Sequence, residues 1–290
     1  MNFKKYNFIF IFMIALVIAI PIISVSKRSN SPSADINDEL PPVIEVDTDD
    51  KKPSKQTTYK FDTAWQAYTH IVNSTLTQSY RSDTTQSLKA TANVGVSMTF
   101  DQNVSIKTYV SKDGKILEET YSGGTKKFFN STYYDGNDIY AKTVNGSFAV
   151  GQKPNFVADK MSLSDFLNEQ GVMPGFIMSL SKKHFGNLKP IREKVGYYSF
   201  TVNVTDGNLF GDYLKRINCM SGSEKFPSIN AYSMKFVYST KTGKLVQLKL
   251  TESYDIKYMG IDVTCSSQSV RNFYEVGTDV QFPSLDYMGL

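Results

Sequence analysis

Apolar residues recur every three or four positions through Ala64, Trp65, Tyr68, Ile71, Val72 and Leu76, then every second position from Leu88 onward. The first spacing is the period of one helix face and the second that of a half-buried strand. The pattern predicts a helix starting near Asp62 or Thr63, either of which offers an N-cap oxygen. Trp65, the only tryptophan, reads as the anchor of that helix against a sheet. Ala90 to Phe100 is strand-like, and Val104, Ile106, Thr108 and Val110 alternate up to Asp113-Gly114, a hairpin signal. Ile116 to Tyr121 returns from that turn, Gly123-Gly124 breaks the run, and Lys126 to Tyr134 leads to a second turn at Asp135-Gly136. Ile139 to Lys142 and Phe148 to Val150 flank Asn145-Gly146. Short connections of this kind make an antiparallel meander.

The period breaks in the middle of the chain. Ser162 to Glu169 predicts a short capped helix, and Pro174 followed by Gly175 to Leu180 predicts a second one opened by proline. Strands resume with Tyr198, Phe200, Val202 and Val204 on one face, and Leu209 to Ile217 reads as a short helix. Ala231 to Tyr238 pairs with Lys244 to Tyr258 across Thr240-Lys-Thr-Gly243. In the second of these strands Val246, Leu248, Leu250, Tyr254, Ile256 and Tyr258 share a side, interrupted by Glu252. Ile261 to Cys265 follows, and Val270, Asn272, Tyr274 and Val276 close the series. The layout is α+β: a large curved antiparallel sheet, half-barrel-like, with a few helices packed on one face.

The helix, the meander, the inserted helices and the run Ser233-Met-Lys-Phe-Val-Tyr-Ser-Thr-Lys-Thr-Gly-Lys-Leu-Val-Gln-Leu-Lys-Leu250 together resemble the LolA/LppX-like lipoprotein-carrier superfamily over roughly residues 60 to 282. The resemblance implies a strongly curved sheet around an apolar cavity that holds an acyl chain or a lipoprotein. It brings no ligand residues with it, because that family has no fixed catalytic motif. The chain departs from the bacterial surface members in lacking a membrane-proximal lipobox cysteine, a role that a transmembrane helix would take over.

Three segments follow from composition. Phe8 to Ile23 is sixteen residues without a charge, between Lys4-Lys5 and Lys27-Arg28. It is close to the roughly 20 residues of a spanning helix, and residues 1–25 are expected to be a membrane anchor or a cleaved signal segment. The bulky β-branched core and the missing small-residue cleavage pattern favour the anchor. Residues 26–59, with four prolines among Ser, Asp and Lys, predict a disordered linker. The seven carboxylates between Ser29 and Asp50, with no Lys or Arg, place residues 60–290 outside the membrane as an extracytoplasmic α+β domain. The expected location is a bacterial cell membrane, single-pass with the C-terminal domain outside, or secretion after cleavage.

A net charge of +4 from 32 basic and 28 acidic residues is too small and too scattered to indicate nucleic acid. The two cysteines, Cys219 and Cys265, are expected to form a disulfide in an oxidising compartment. Neither His70 nor His184 falls in a metal-ligand or catalytic spacing, so no catalytic residue, metal or cofactor is assigned. Glu118-Glu119 reads as a solvated face. The function expected is noncatalytic binding of a lipid or other apolar ligand, with another envelope protein as a further partner. Phe166, Leu167, Phe176, Ile177 and Leu180 are the candidate lid residues, and Tyr198, Phe200, Leu248 and Tyr254 the candidate lining. The alternative is a surface sensory, adhesive or envelope-structural module whose sheet is filled by its own side chains.

Overall fold

The computed structural model describes residues 58–290 except 94–96, 126, 222 and 259, with the side chains of 93, 97, 98 and 219–221 also outside it. The apolar segment 8–25 and nearly all of the linker lie outside the described residues. Among those described, no helix is long and apolar enough to cross a membrane.

Among the described residues, eleven strands form one open sheet in the order β6-β5-β4-β3-β2-β1-β11-β10-β9-β8-β7. They are β1 (Tyr80–Asn93), β2 (Ser97–Val110), β3 (Ile116–Gly124), β4 (Phe128–Tyr134), β5 (Asp138–Asn145), β6 (Asp159–Ser162), β7 (Ile191–Lys194), β8 (Tyr197–Asn203), β9 (Ser228–Ser239), β10 (Leu245–Tyr258) and β11 (Ile261–Tyr274). Every neighbouring pair is antiparallel. Two meanders therefore run outward from a central seam, where the first strand pairs with the last from Arg81↔Tyr274 to Ala92↔Val263.

Helices α1 (Ala64–Ile71), α2 (Leu163–Gln170) and α3 (Gly211–Ser221) accompany the sheet. Thr63 caps α1 in a capping box with Gln66, and one π turn, Val72–Leu76, extends it. The predicted helix thus starts where the cap allows. Trp65 meets the rings of Phe185 at 5.3 Å and Tyr68 at 5.9 Å and packs against the main core. His70 lies between Tyr59 at 5.0 Å and Phe61 at 5.2 Å. It also explains Gly243 in the β9–β10 turn: φ there is +67°, and a Cβ would fall 2.3 Å from the imidazole. At the end of α2, Gly171 has φ +76° and a Cβ on it would lie 2.5 Å from the Asp212 carbonyl, so glycine lets α2 dock on α3.

The core occupies one face of the sheet. Phe200, Val202, Met234, Phe236, Tyr238, Leu248 and Leu250 pack under Ala64, Ala67, Tyr68 and Ile71 of α1 and Tyr213 and Ile217 of α3. A second, smaller cluster covers the opposite face of β3 and β4, where Leu117, Tyr121 and Phe129 meet Tyr287 and Met288. The C-terminal segment is held there by Phe156 N–H to the Tyr287 carbonyl at 2.8 Å and Ala158 N–H to the Met288 carbonyl at 3.0 Å.

Several expectations are corrected. The stretch from Ala90 to Phe100 contains the end of β1 and the start of β2 rather than one strand, and β1 begins at Tyr80. Gly123 and Gly124 remain within β3, and Phe148 to Val150 is loop. Gly175 to Leu180 is not helical; Gly175 has φ +80°, which stops a helix after Pro174, and the chain beyond it runs as an irregular strap. The inward residues of β11 are Val263, Cys265, Ser267, Ser269, Arg271 and Phe273, so the series Val270, Asn272, Tyr274 lies on the other side. Glu118 and Glu119 are each only 1% exposed, one on each face of β3. Cys265 is a free, buried thiol, so the bridge to Cys219 expected from parity is not present, and the Cys219 side chain is outside the described residues. Cys265 points into the core directly across from Tyr254, and burial pushes its thiol up to about 12.

Candidate functional site

Strand alternation divides the helix-covered face into two chemically different halves. On β8, β9 and β10 the inward positions are aromatic and aliphatic. At the β1–β11 seam they include Ser82, Thr84 and Gln86 of β1 and Ser267, Ser269 and Arg271 of β11, all buried, with Thr84 opposite Arg271 and Gln86 opposite Ser269. Glu252 of β10 and Glu118 of β3 face inward beside this seam, Glu252 directly across from Ser267. These polar side chains pair only in part. Gln86 Nε2 donates to Ser267 Oγ at 2.7 Å, Arg271 Nε donates to Thr84 Oγ1 at 2.8 Å, and the Tyr213 hydroxyl donates to Glu252. Tyr80 OH, Ser82 Oγ, Gln86 Oε1, Thr108 Oγ1, Glu118 Oε2 and Arg271 Nη2 are buried without a protein partner. An unpartnered buried polar atom costs about 1–3 kcal/mol, and such a cluster of them marks a place built for something other than packing.

Burial sets the charges. Glu118 is pushed up to about 8 by desolvation, opposed by the field of Arg271 and a hydrogen bond from the Gly175 backbone. Glu252 is pushed up to about 7 by the same loss of water, opposed by the Tyr213 and Ser267 hydrogen bonds. Arg271, also desolvated, comes down to about 10 and keeps its charge at neutral pH. Glu119, on the far face, is served quite differently, with Tyr287 OH donating at 2.8 Å and Lys153 forming an ion pair.

A strap, Val172 to Leu180, lies over the junction of the two halves. Met178 and Leu180 are buried in the core and Phe176 and Ile177 pack against it. Leu180 N–H donates to Tyr68 OH at 2.9 Å, and the Gly175 backbone bonds Glu118. Beneath the strap is a cavity of about 20 Å³ with Phe176, Ile177 and Met178 above it. Met234, Leu248 and Leu250 form one wall and Thr84, Ser269 and Arg271 the other. That is room for about one water. A larger hollow of about 470 Å³ opens between the start of β9 and the segment 203–214, lined by Val204, Phe210, Leu214, Ile229, Ala231 and Tyr232 and by the polar Asn203, Thr205, Asn230 and Ser233. Tyr232 borders both spaces.

Of the residues singled out from sequence, Phe176, Ile177 and Leu248 border the central cavity. Leu180, Tyr198, Phe200 and Tyr254 belong to the main core, which Phe166 and Leu167 of α2 do not join. Sequence reasoning missed the whole polar seam and the outer hollow. The signal available was the run Ser82, Thr84, Gln86, whose two-residue spacing continues into Leu88 and Ala90. Among the described residues no group of three His, Cys, Asp or Glu side chains is placed to hold a metal ion. His184 closes a 3-10 turn on Ser181.

No family model and no curated relative matches the chain. Among solved structures it is similar to a LolA superfamily protein from Nitrosomonas europaea, at 14% identity over 78% of this chain and 99% of that one, with a TM-score of 0.23.

Proposed function

We propose that the domain binds a single apolar chain noncatalytically, using the outer hollow together with the space beneath the strap. The observation that carries this reading is the hollow of about 470 Å³, in which Val204, Phe210, Leu214, Ile229, Ala231 and Tyr232 supply an apolar lining beside Asn203, Thr205, Asn230 and Ser233, within the roughly 300–1,000 Å³ of ligand sites. Tyr232 borders both this hollow and the central cavity. The strap is the part suited to move. It has no helix or strand ladder of its own, so its displacement breaks few backbone hydrogen bonds, and it would uncover Met234, Leu248 and Leu250. Gentle isolation of the full chain, followed by extraction and mass analysis, should return an acyl lipid close to one per protein. Repeated recovery of lipid-free protein that also fails to take up added lipid would overturn this reading.

The location proposed with it is the outer face of a membrane, with residues 8–25 as anchor and 26–59 as spacer. The uncharged run and the acidic linker support that placement. Protease added to intact cells should then remove the domain and leave a small membrane-bound fragment. A domain protected while a known surface protein is digested would sink the orientation.

A further inference from the structure

We infer that the central cavity is a head-group subsite, in which Arg271, with Thr84 and Ser269, binds the anionic end of a single-chain amphiphile while the chain runs past Tyr232 into the outer hollow. The inference rests on the ligand-binding reading above and adds the chemistry of the ligand's end. Arg271 is 4% exposed and lines the cavity. Its Nε is satisfied by Thr84 Oγ1 at 2.8 Å, while Nη2 has no partner. Among the described residues no carboxylate forms an ion pair with it. A buried charge without a counter-ion is costly, and a guanidinium presents a planar fork suited to carboxylate or phosphate oxygens.

The neighbours do not supply the missing anion. Glu118 and Glu252 are the buried acids beside the seam, and burial pushes them up to about 8 and about 7. Burial thus favours the protonated form of Glu118, which reaches Arg271 only through its field, and Glu252 is already committed to the Tyr213 hydroxyl. Thr84 and Ser269 line the same wall as Arg271 and offer hydroxyl groups to a second oxygen. The opposite wall, Met234, Leu248 and Leu250, together with Tyr232, suits the first carbons of a chain. One wall polar and the other apolar is the division an amphiphile would need. With the strap closed the space holds about one water, so Phe176 to Met178 must withdraw for a head group to enter.

The test uses the full chain and one saturated chain length carrying four heads in turn: carboxylate, phosphate monoester, alcohol and trimethylammonium. Each displaces the same environment-sensitive fluorescent probe. Hydrogen bonds to a charged partner predict that the preferred anion binds about tenfold or more tighter than the alcohol, and the ammonium most weakly. The tighter of the two anions tells whether a fatty acid or a phosphate-headed lipid is the source. Arg271→Gln should abolish the preference for the anions, bringing their affinities together with the alcohol's, with Arg271→Lys in between. An alcohol that binds the unaltered protein as tightly as both anions overturns the subsite and leaves the apolar-chain reading standing. A protein that binds none of the four overturns both. The ranking in the unaltered protein decides the matter even where Arg271→Gln does not fold.

Discussion

Glu252→Gln should raise the thermal midpoint at pH 8 by several degrees and leave it nearly unchanged at pH 4. In the folded protein the Glu252 carboxyl is pushed up to about 7 because it is buried, against an ordinary value of 4.5. Below about pH 4.5 it carries its proton in folded and unfolded chains alike, so its pairing with Tyr213 costs nothing in charge. Between about pH 4.5 and 7 the unfolded chain gives up the proton and the folded one keeps it, so stability falls as pH rises. Above 7 the loss is complete, at about 3 kcal/mol. Glutamine keeps an oxygen for the Tyr213 hydroxyl and never ionises. The variant should therefore gain up to that amount at high pH, a shift of about 6–12 °C for a domain of this size. Glu118 titrates in both proteins and cancels in the difference. Scanning calorimetry or circular dichroism from pH 4 to 8.5 reads the effect. A variant less stable at pH 8 would mean that a bound cation or another unseen partner stabilises the ionised carboxylate.

Phe236→Ala should cost about 3–5 kcal/mol. Phe236 is fully buried. Its ring stacks on Phe200 at 5.1 Å and meets Tyr68 edge-on at 5.5 Å, so it joins β8, β9 and α1 at one point. Truncation loosens α1, and α1 carries the Tyr68 hydroxyl that holds the strap at Leu180. Urea unfolding should show a lower midpoint with an unchanged slope. A cost below about 1 kcal/mol would show that α1 and this half of the sheet do not form one core, and the strap would then lose its fixed support.

What the sequence determined was the part of the fold written in apolar period and turn chemistry. The α1 face, its Thr63 cap, the hairpins at Asp113-Gly114 and Asp135-Gly136, and the β9–β10 pair all appear where side-chain spacing and glycine placement put them. Where the inward side chains are Ser, Thr, Gln, Arg and Glu, the same period is present but reads as a solvated strand. That is why apolar spacing alone starts β1 late and why Glu118 reads as solvated although it is buried. Sequence order also cannot say that the first strand pairs with the last, because residues 81 and 274 meet only through closure of the two meanders. That pairing creates the seam, sets Arg271 opposite Thr84, and leaves both under a strap contributed by a distant loop. Burial is a property of the assembled sheet, and it is burial that turns an ordinary arginine and two ordinary glutamates into the chemistry of a site.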